Sequence, residues 1–144
     1  MKEILKQIKK IEREQLRRQR SPLARYNKGK VHLKQMTFHK CLKRNRWVFG
    51  GNRSGKTECG AVETVWLARG NHPFRRNKPN ISCWVVSLSQ AVQREVAQQK
   101  ILYYLDPLWI DDVVMLTGSK GSPANGAIDY ILVKNVFGGT SKIA

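Results

Sequence analysis

Eight consecutive residues, Gly50-Gly51-Asn52-Arg53-Ser54-Gly55-Lys56-Thr57, satisfy the pattern G-x-x-x-x-G-K-[ST] at every specified position. Each specified residue type has a job in phosphate binding. The glycines let the backbone curl so that successive N–H groups converge on phosphate oxygens, and the start of a following helix adds unpaired donors and its dipole. Lys56 is placed to reach the β- and γ-phosphates of a nucleotide, and the Thr57 hydroxyl is placed to ligate Mg2+. ATP and Mg2+ are therefore the expected ligand and metal. At average residue usage such an octapeptide arises by chance in roughly one chain of this length in two hundred.

Other chemically capable residues are scattered. Cys41, Cys59 and Cys83 are odd in number and widely spaced, and His occurs only at 32, 39 and 72, so no zinc-type spacing exists. Reduced thiols, mostly buried or bystanders, in a cytoplasmic protein are the expectation. No apolar run reaches the length of a membrane span, and the N-terminus lacks the apolar core of a signal peptide. An ATPase with this loop also needs a strand that ends in adjacent acidic residues, one for Mg2+ and one to activate water. Leu108-Trp109-Ile110-Asp111-Asp112 is the only lookalike, and three apolar residues directly after Pro107 make a poor central strand. Asp111 and Asp112 are expected on a loop or a helix start. No carboxylate cluster suits a two-metal nuclease.

The elements that must position the loop follow from residue pattern. Trp47-Val48-Phe49 predicts a first strand over about 46–50, and Glu58–Arg69, with Val62, Val65, Trp66 and Ala68 at helical spacing, predicts a helix over about 55–69. Gly70-Asn71-His72-Pro73 stops that helix. Ile81 to Leu88 reads as a second, buried strand, and Ser89 caps a helix running to about Tyr104, closed by Asp106-Pro107. Residues 113–117 read as a short strand, Gly118 to Gly126 as a turn-rich loop, and Tyr130 to Val136 as another strand followed by Gly138-Gly139. Strands alternating with helices predict an α/β fold, a P-loop NTPase-type three-layer parallel sheet, here partial, with right-handed crossovers and the ligand beyond the carboxyl ends of its strands.

Charge divides the chain differently. Residues 1–46 hold 16 Lys/Arg and 3 Asp/Glu while residues 47–144 hold 11 and 7, so +13 of the formal +17 lies ahead of the loop. Residues 2–20 predict a helix with a narrow stripe of Ile4, Leu5, Ile8, Ile11 and Leu16, ended by Ser21-Pro22. The expected organisation is a basic N-terminal helix or arm over 1–22, a basic connector over 23–45, and the N-terminal portion of a P-loop domain over 46–144. A polyanion, DNA or RNA, is the natural partner of such an arm. A solvated arm that only keeps the chain soluble or meets an acidic protein is the plainer alternative.

Trp47 through Glu58, with Gln35-Met36-Thr37-Phe38-His39 upstream and Trp84-Val85-Val86-Ser87 downstream, resembles the N-terminal ATPase region of the large terminase subunit of tailed bacteriophages. The resemblance covers most of residues 28–144 and rests on the combination, since many ATPases share the loop alone. It implies a motor that drives double-stranded DNA into proheads, with the small terminase subunit and the portal as partners and a phage or prophage origin in a bacterial cytoplasm. It further implies that Gln35 reads adenine, which a Gln amide can do by pairing with N6 and N7, and that Phe38 packs near the base. Nucleotide contacts fall on Gln35, Gly50, Gly51, Asn52, Arg53, Ser54, Gly55, Lys56, Thr57 and Glu58, with Lys56 catalytic. Arg53 has two open roles, stabilising phosphate charge during transfer or holding the loop by pairing with a carboxylate.

The acidic strand and coupling motif of such a motor would be expected beyond residue 144, so the chain resembles the first part of a larger protein, truncated after Ser141-Lys142-Ile143-Ala144. By itself it is expected to hydrolyse ATP poorly. A non-catalytic remnant that binds nucleotide and nucleic acid is the second reading. Another P-loop protein, a helicase-like ATPase or a small-molecule kinase, is the third.

Overall fold

In the computed structural model, residues 2–26, 31–118 and 121–144 are described, together with all their side chains except those of Lys2 and Arg18. Residues 27–30 of the expected connector and residues 119–120 of the expected turn-rich loop lie outside the described residues. The chain divides into two units, Met1–Val31 and His32–Ala144.

In the first unit, α1 spans Lys2–Arg20, with Glu3 in its first turn, where a negative charge suits the helix dipole. Arg17 grips Glu14 with two hydrogen bonds, at 2.9 and 2.7 Å. Ile4, Leu5, Ile8, Ile11 and Leu16 are exposed. Ser21 is extended and breaks the helix; its Oγ then accepts from the N–H of Ala24 and caps the single turn α2, Pro22–Arg25. Proline at the first helical position loses no hydrogen bond there. The helix over 2–20 and its stop at Ser21-Pro22 agree with the sequence pattern.

The second unit is built around α4, Lys56–Arg69. Val62 and Val65 are fully buried, beside Ala61, Trp66 and Ala68. The helix packs on the sheet and also touches α3, Leu33–Lys40, and α6, Gln99–Tyr104. Gly70, at φ 70°, ends α4, and a Cβ there would come within 2.7 Å of Asn135 Oδ1. Between the sheet strands β1, Ser82–Cys83, and β2, Ile110–Met115, runs a helical stretch of α5, Gln90–Val92, π-helical turns over Gln93–Gln98 and α6, followed by a 3-10 turn over Pro107–Trp109. Ser89 caps it, its Oγ accepting from the Val92 N–H. The π turns place the Gln98 amide inward, where it donates to the carbonyls of Pro123 and Gly126 and accepts from the Ile128 N–H.

The sheet has the order β1-β4-β3-β2, where β3 is Ile128–Lys134 and β4 is Thr140–Ile143. Ile131, Val133, Ser141 and Ile143 alternate inward on β3 and β4. The fold is α/β with a four-stranded mixed sheet. Only β1 and β4 pair in parallel; β4–β3 and β3–β2 are antiparallel. This pairing corrects the expectation of a parallel sheet, and the reason is physical. Asn135–Gly139 closes a tight turn, with Asn135 N–H on Gly139 O and Gly138 at φ 91°. A connection that short permits only antiparallel neighbours.

Two further expectations change. Residues 46–50 form no strand; Trp47 and Phe49 are 83% and 89% exposed, and the segment has no ladder partner. Asp111 and Asp112 lie on β2, neither on a loop nor on a helix start, but β2 is the sheet edge farthest from β1. Two bulges mark the pairing of β2 with β3, one at Ile110/Asp112. In the expected strand over 81–88 only Ser82–Cys83 is regular, although the Val85 N–H still reaches Ala144 O at 2.8 Å.

Candidate phosphate-loop site

Gly55 is the N-cap of α4 and sits in the left-handed region at φ 80°, ψ 13°, with no side-chain cap on the helix. A Cβ at that position would lie 2.6 Å from Gln35 Nε2, so both conformation and space call for glycine. Arg53, at φ 59°, is also left-handed, which is costly for a residue with a Cβ and marks a loop forced into a tight curl. A Cβ on Gly50 would meet Ser54 Oγ at 2.8 Å, whereas Gly51 is open.

Lys56 folds back over this curl. Its ammonium donates to Gly50 O at 2.6 Å, Gly51 O at 2.7 Å and Ser54 Oγ at 3.2 Å. The charge therefore stands at the mouth of the loop, beside the first-turn N–H groups of α4, which a helix leaves without intrahelical acceptors. The donor set fits an anion: a cation, a helix N-terminus without a side-chain cap, and Thr57 exposed at that terminus. Glu58, in the same turn, accepts from the buried Tyr104 hydroxyl, which ties α6 to the start of α4. Lys56 and Thr57 would hold the β- and γ-phosphates and Mg2+, the metal neutralising phosphate charge.

Gln35 is brought to the loop, where it meets Gly55. Both ends of its amide are occupied, Oε1 by the His32 N–H at 3.0 Å and Nε2 on the Gly55 carbonyl at 3.0 Å. The first bond belongs to a capping box at the start of α3. Phe38 has the Arg46 guanidinium 4.3 Å from its ring centroid. These two residues hold the loop's frame in this structure.

Behind the loop is a cluster that spacing did not reveal. Glu63, on the buried face of α4, accepts from His39 Nδ1 at 2.6 Å, His72 Nε2 at 3.0 Å and Arg46 at 2.5 Å, with Arg75 at 3.8 Å. Burial alone would raise its pKa, but the hydrogen bonds of His39, His72 and Arg46 outweigh it and hold the carboxyl well below the usual range. The Cys59 thiol faces His39 Nε2 at 3.5 Å. The one signal of this cluster in the sequence is an acidic residue on an otherwise apolar helix stripe.

His39, Glu63 and His72 bring three ligand-type atoms within 4.8 Å of one another. The set does not suit a cation. His72 Nδ1 accepts from the backbone N–H groups of Phe74 and Arg75, so the ring proton sits on Nε2, the atom a metal would need. Arg46 already neutralises the carboxylate. The cluster is a clasp: it joins α3, the entry to the phosphate loop at Arg46, and the exit from α4 at His72. Arg46 also donates to the Phe38 carbonyl, so the chain entering the loop is tied twice.

Asp111 and Asp112 are exposed, and Asp112 Oδ1 turns back onto the Val113 N–H. Cys41, Cys59 and Cys83 form no disulfide with one another, and burial pushes the Cys83 thiol up to about 11. No described helix is long and apolar enough to cross a membrane. Neither protein-family models, nor curated proteins, nor solved structures offer a match to this chain.

Proposed function

We propose that the chain grips ATP with Mg2+ on Gly50–Thr57, as the nucleotide-binding part of a large terminase subunit that packages double-stranded DNA. The observation that supports it best is the pairing of a left-handed glycine N-cap with a Lys56 ammonium poised among loop carbonyls. Binding would exchange those carbonyls for phosphate oxygens while the first-turn N–H groups of α4 receive the anion. Gly51, Asn52, Arg53 and Ser54 form the curl, and the Thr57 hydroxyl meets Mg2+. The finer expectation, a three-layer P-loop fold, belongs to this proposal too, as do the basic arm's contact with DNA and the association with a small subunit and a portal.

A second reading has an observation of its own. Asp111 and Asp112 stand on the sheet edge farthest from β1, a poor place from which to activate water at the loop. A chain that binds nucleotide without hydrolysing it fits that arrangement. One experiment separates the readings. Calorimetric titration with Mg-ATP should show binding that Lys56→Ala weakens roughly tenfold or more, since a charged hydrogen-bond donor to phosphate is lost. Turnover in the same preparation should be at background. Binding unaffected by Lys56→Ala would sink the nucleotide site, and robust Lys56-dependent turnover would rule out the non-hydrolysing reading.

A further inference from the structure

Residues 2–20 carry eight Lys/Arg and three Glu, a net charge of +5, and α1 sorts them by face. Ile4, Ile8 and Ile11 recur at intervals of four and three, with Leu5 beside them, so one side of the first turns is apolar. Lys6, Lys10, Arg13 and Arg17 recur at intervals of four, three and four on the opposite side. Lys9, one turn beyond Leu5, borders the apolar side. Glu12 and Gln15, one turn beyond Ile8 and Ile11, end it.

The first unit does not use this apolar side for its own core. Among its described residues the buried apolar side chains are Leu23 and Tyr26, whereas Ile4, Leu5, Ile8 and Ile11 are 45–61% exposed. Polarity and charge select what such a helix meets. Duplex DNA would use the basic side and leave four large apolar side chains in water. A second copy would cover the apolar side but would bring two helices of +5 together. The surface of an anionic bilayer satisfies both sides at once. Its acyl boundary takes the isoleucines, and its negative headgroups meet the Lys and Arg, whose long stems let the charges reach outward.

We propose that α1 is an interfacial helix that lies on an anionic lipid surface without crossing it. Ile4, Leu5, Ile8 and Ile11 enter the boundary between headgroups and acyl chains, and Lys6, Lys9, Lys10 and Arg13 meet the lipid phosphates. Four apolar anchors make a shallow contact, so binding requires negative lipid and weakens with salt. The contact does not involve the phosphate loop and stands apart from the nucleotide reading.

The test is co-sedimentation of the full chain with vesicles of phosphatidylcholine alone or with about 30% phosphatidylglycerol, a fraction that gives a clearly negative surface. The mixed vesicles should bind at least about tenfold tighter and should slow amide exchange over residues 4–11 about tenfold. Ile4→Ala with Ile8→Ala keeps every charge and favours the helix, yet should weaken vesicle binding about tenfold or more while duplex DNA binding is unchanged. Lys6→Gln with Lys10→Gln should also weaken it and flatten its salt dependence. Lys56→Ala should bind vesicles as the wild type does. Equal binding to both vesicle types overturns the proposal, as does equal binding of the Ile4→Ala, Ile8→Ala variant, which would leave charge alone as the cause. Loss of binding in Lys56→Ala overturns it by placing the headgroup phosphate on the loop. So does the absence of vesicle binding together with a light-scattering mass that falls in the isoleucine variant, which would mean that a second copy covers the stripe.

Discussion

Glu63 carries more of the site's architecture than any residue of the phosphate-loop pattern. Replacing it with Ala leaves the nearly buried Arg46 guanidinium without its counter-charge, and the loss of a buried pair's partner costs about 3–5 kcal/mol. Urea unfolding of Glu63→Ala should show that drop, larger than the drop from any single substitution within the loop. The clasp also has a pH signature. Because the fold depresses the Glu63 pKa, its stabilisation is fully present above the unfolded value of about 4.3 and is lost as pH falls below it. The wild-type protein should therefore lose stability progressively as pH falls below about 4.5, and Glu63→Gln should flatten that dependence. Within the loop, Gly55→Ala forces a Cβ into left-handed backbone and against the Gln35 amide. It should cost about 1–2 kcal/mol, whereas Gly51→Ala, with open space around it, should cost under about 0.5 kcal/mol. Thermal midpoints of the pair test the contrast.

At the scale of elements, the junction between α4 and the β3–β4 turn is decided by Asn135. Its Nδ2 donates to the carbonyls of Ala68 and Lys78 and to Ser141 Oγ, each at 3.2 Å, while Oδ1 accepts from the Phe137 N–H at 3.0 Å. Asn135→Leu would leave buried carbonyls without donors, at about 1–3 kcal/mol. Faster amide exchange confined to the end of α4 and the β3–β4 turn would show it; uniform exchange across the domain would refute this role. The helices were legible in the sequence: α1, α4 and the stretch ending at Tyr104 follow apolar spacing bounded by Ser21-Pro22, Gly70 and Asp106-Pro107. The strands were legible only as apolar runs. Val113–Thr117 and Tyr130–Val136 were placed within a few residues, but their antiparallel pairing was not, because a run of Ile and Val says nothing about the direction of its neighbour. The turn at Asn135–Gly139 held that information.

For the molecule as a whole, the uneven charge makes the clearest prediction. If the basic segment contacts duplex DNA, removing residues 1–45 should weaken binding and flatten its salt dependence between about 50 and 200 mM, each lost phosphate contact lowering the log–log slope by about 0.9. Fluorescence anisotropy on a DNA duplex measures both quantities, and an unchanged slope would assign the DNA contact to residues 46–144. Exposed Trp47, Phe49, Trp84 and Val86 leave the second unit with apolar surface outside its core.

The order of residues alone determined the glycine-rich curl over Gly50–Thr57 and the helix after it, because glycine conformation and helical periodicity are local signals. It also determined the basic N-terminal helix, because side-chain periodicity and Ser21-Pro22 are local signals. Tertiary structure decided what lies behind the loop. His39, Arg46, Glu63, His72 and Arg75 are distant in sequence and meet only when α3, α4 and the segment after Gly70 pack together. It decided as well that Gln35 closes onto Gly55 and that the outer edge of β1 stays open, since both depend on which backbone groups neighbouring elements have already taken.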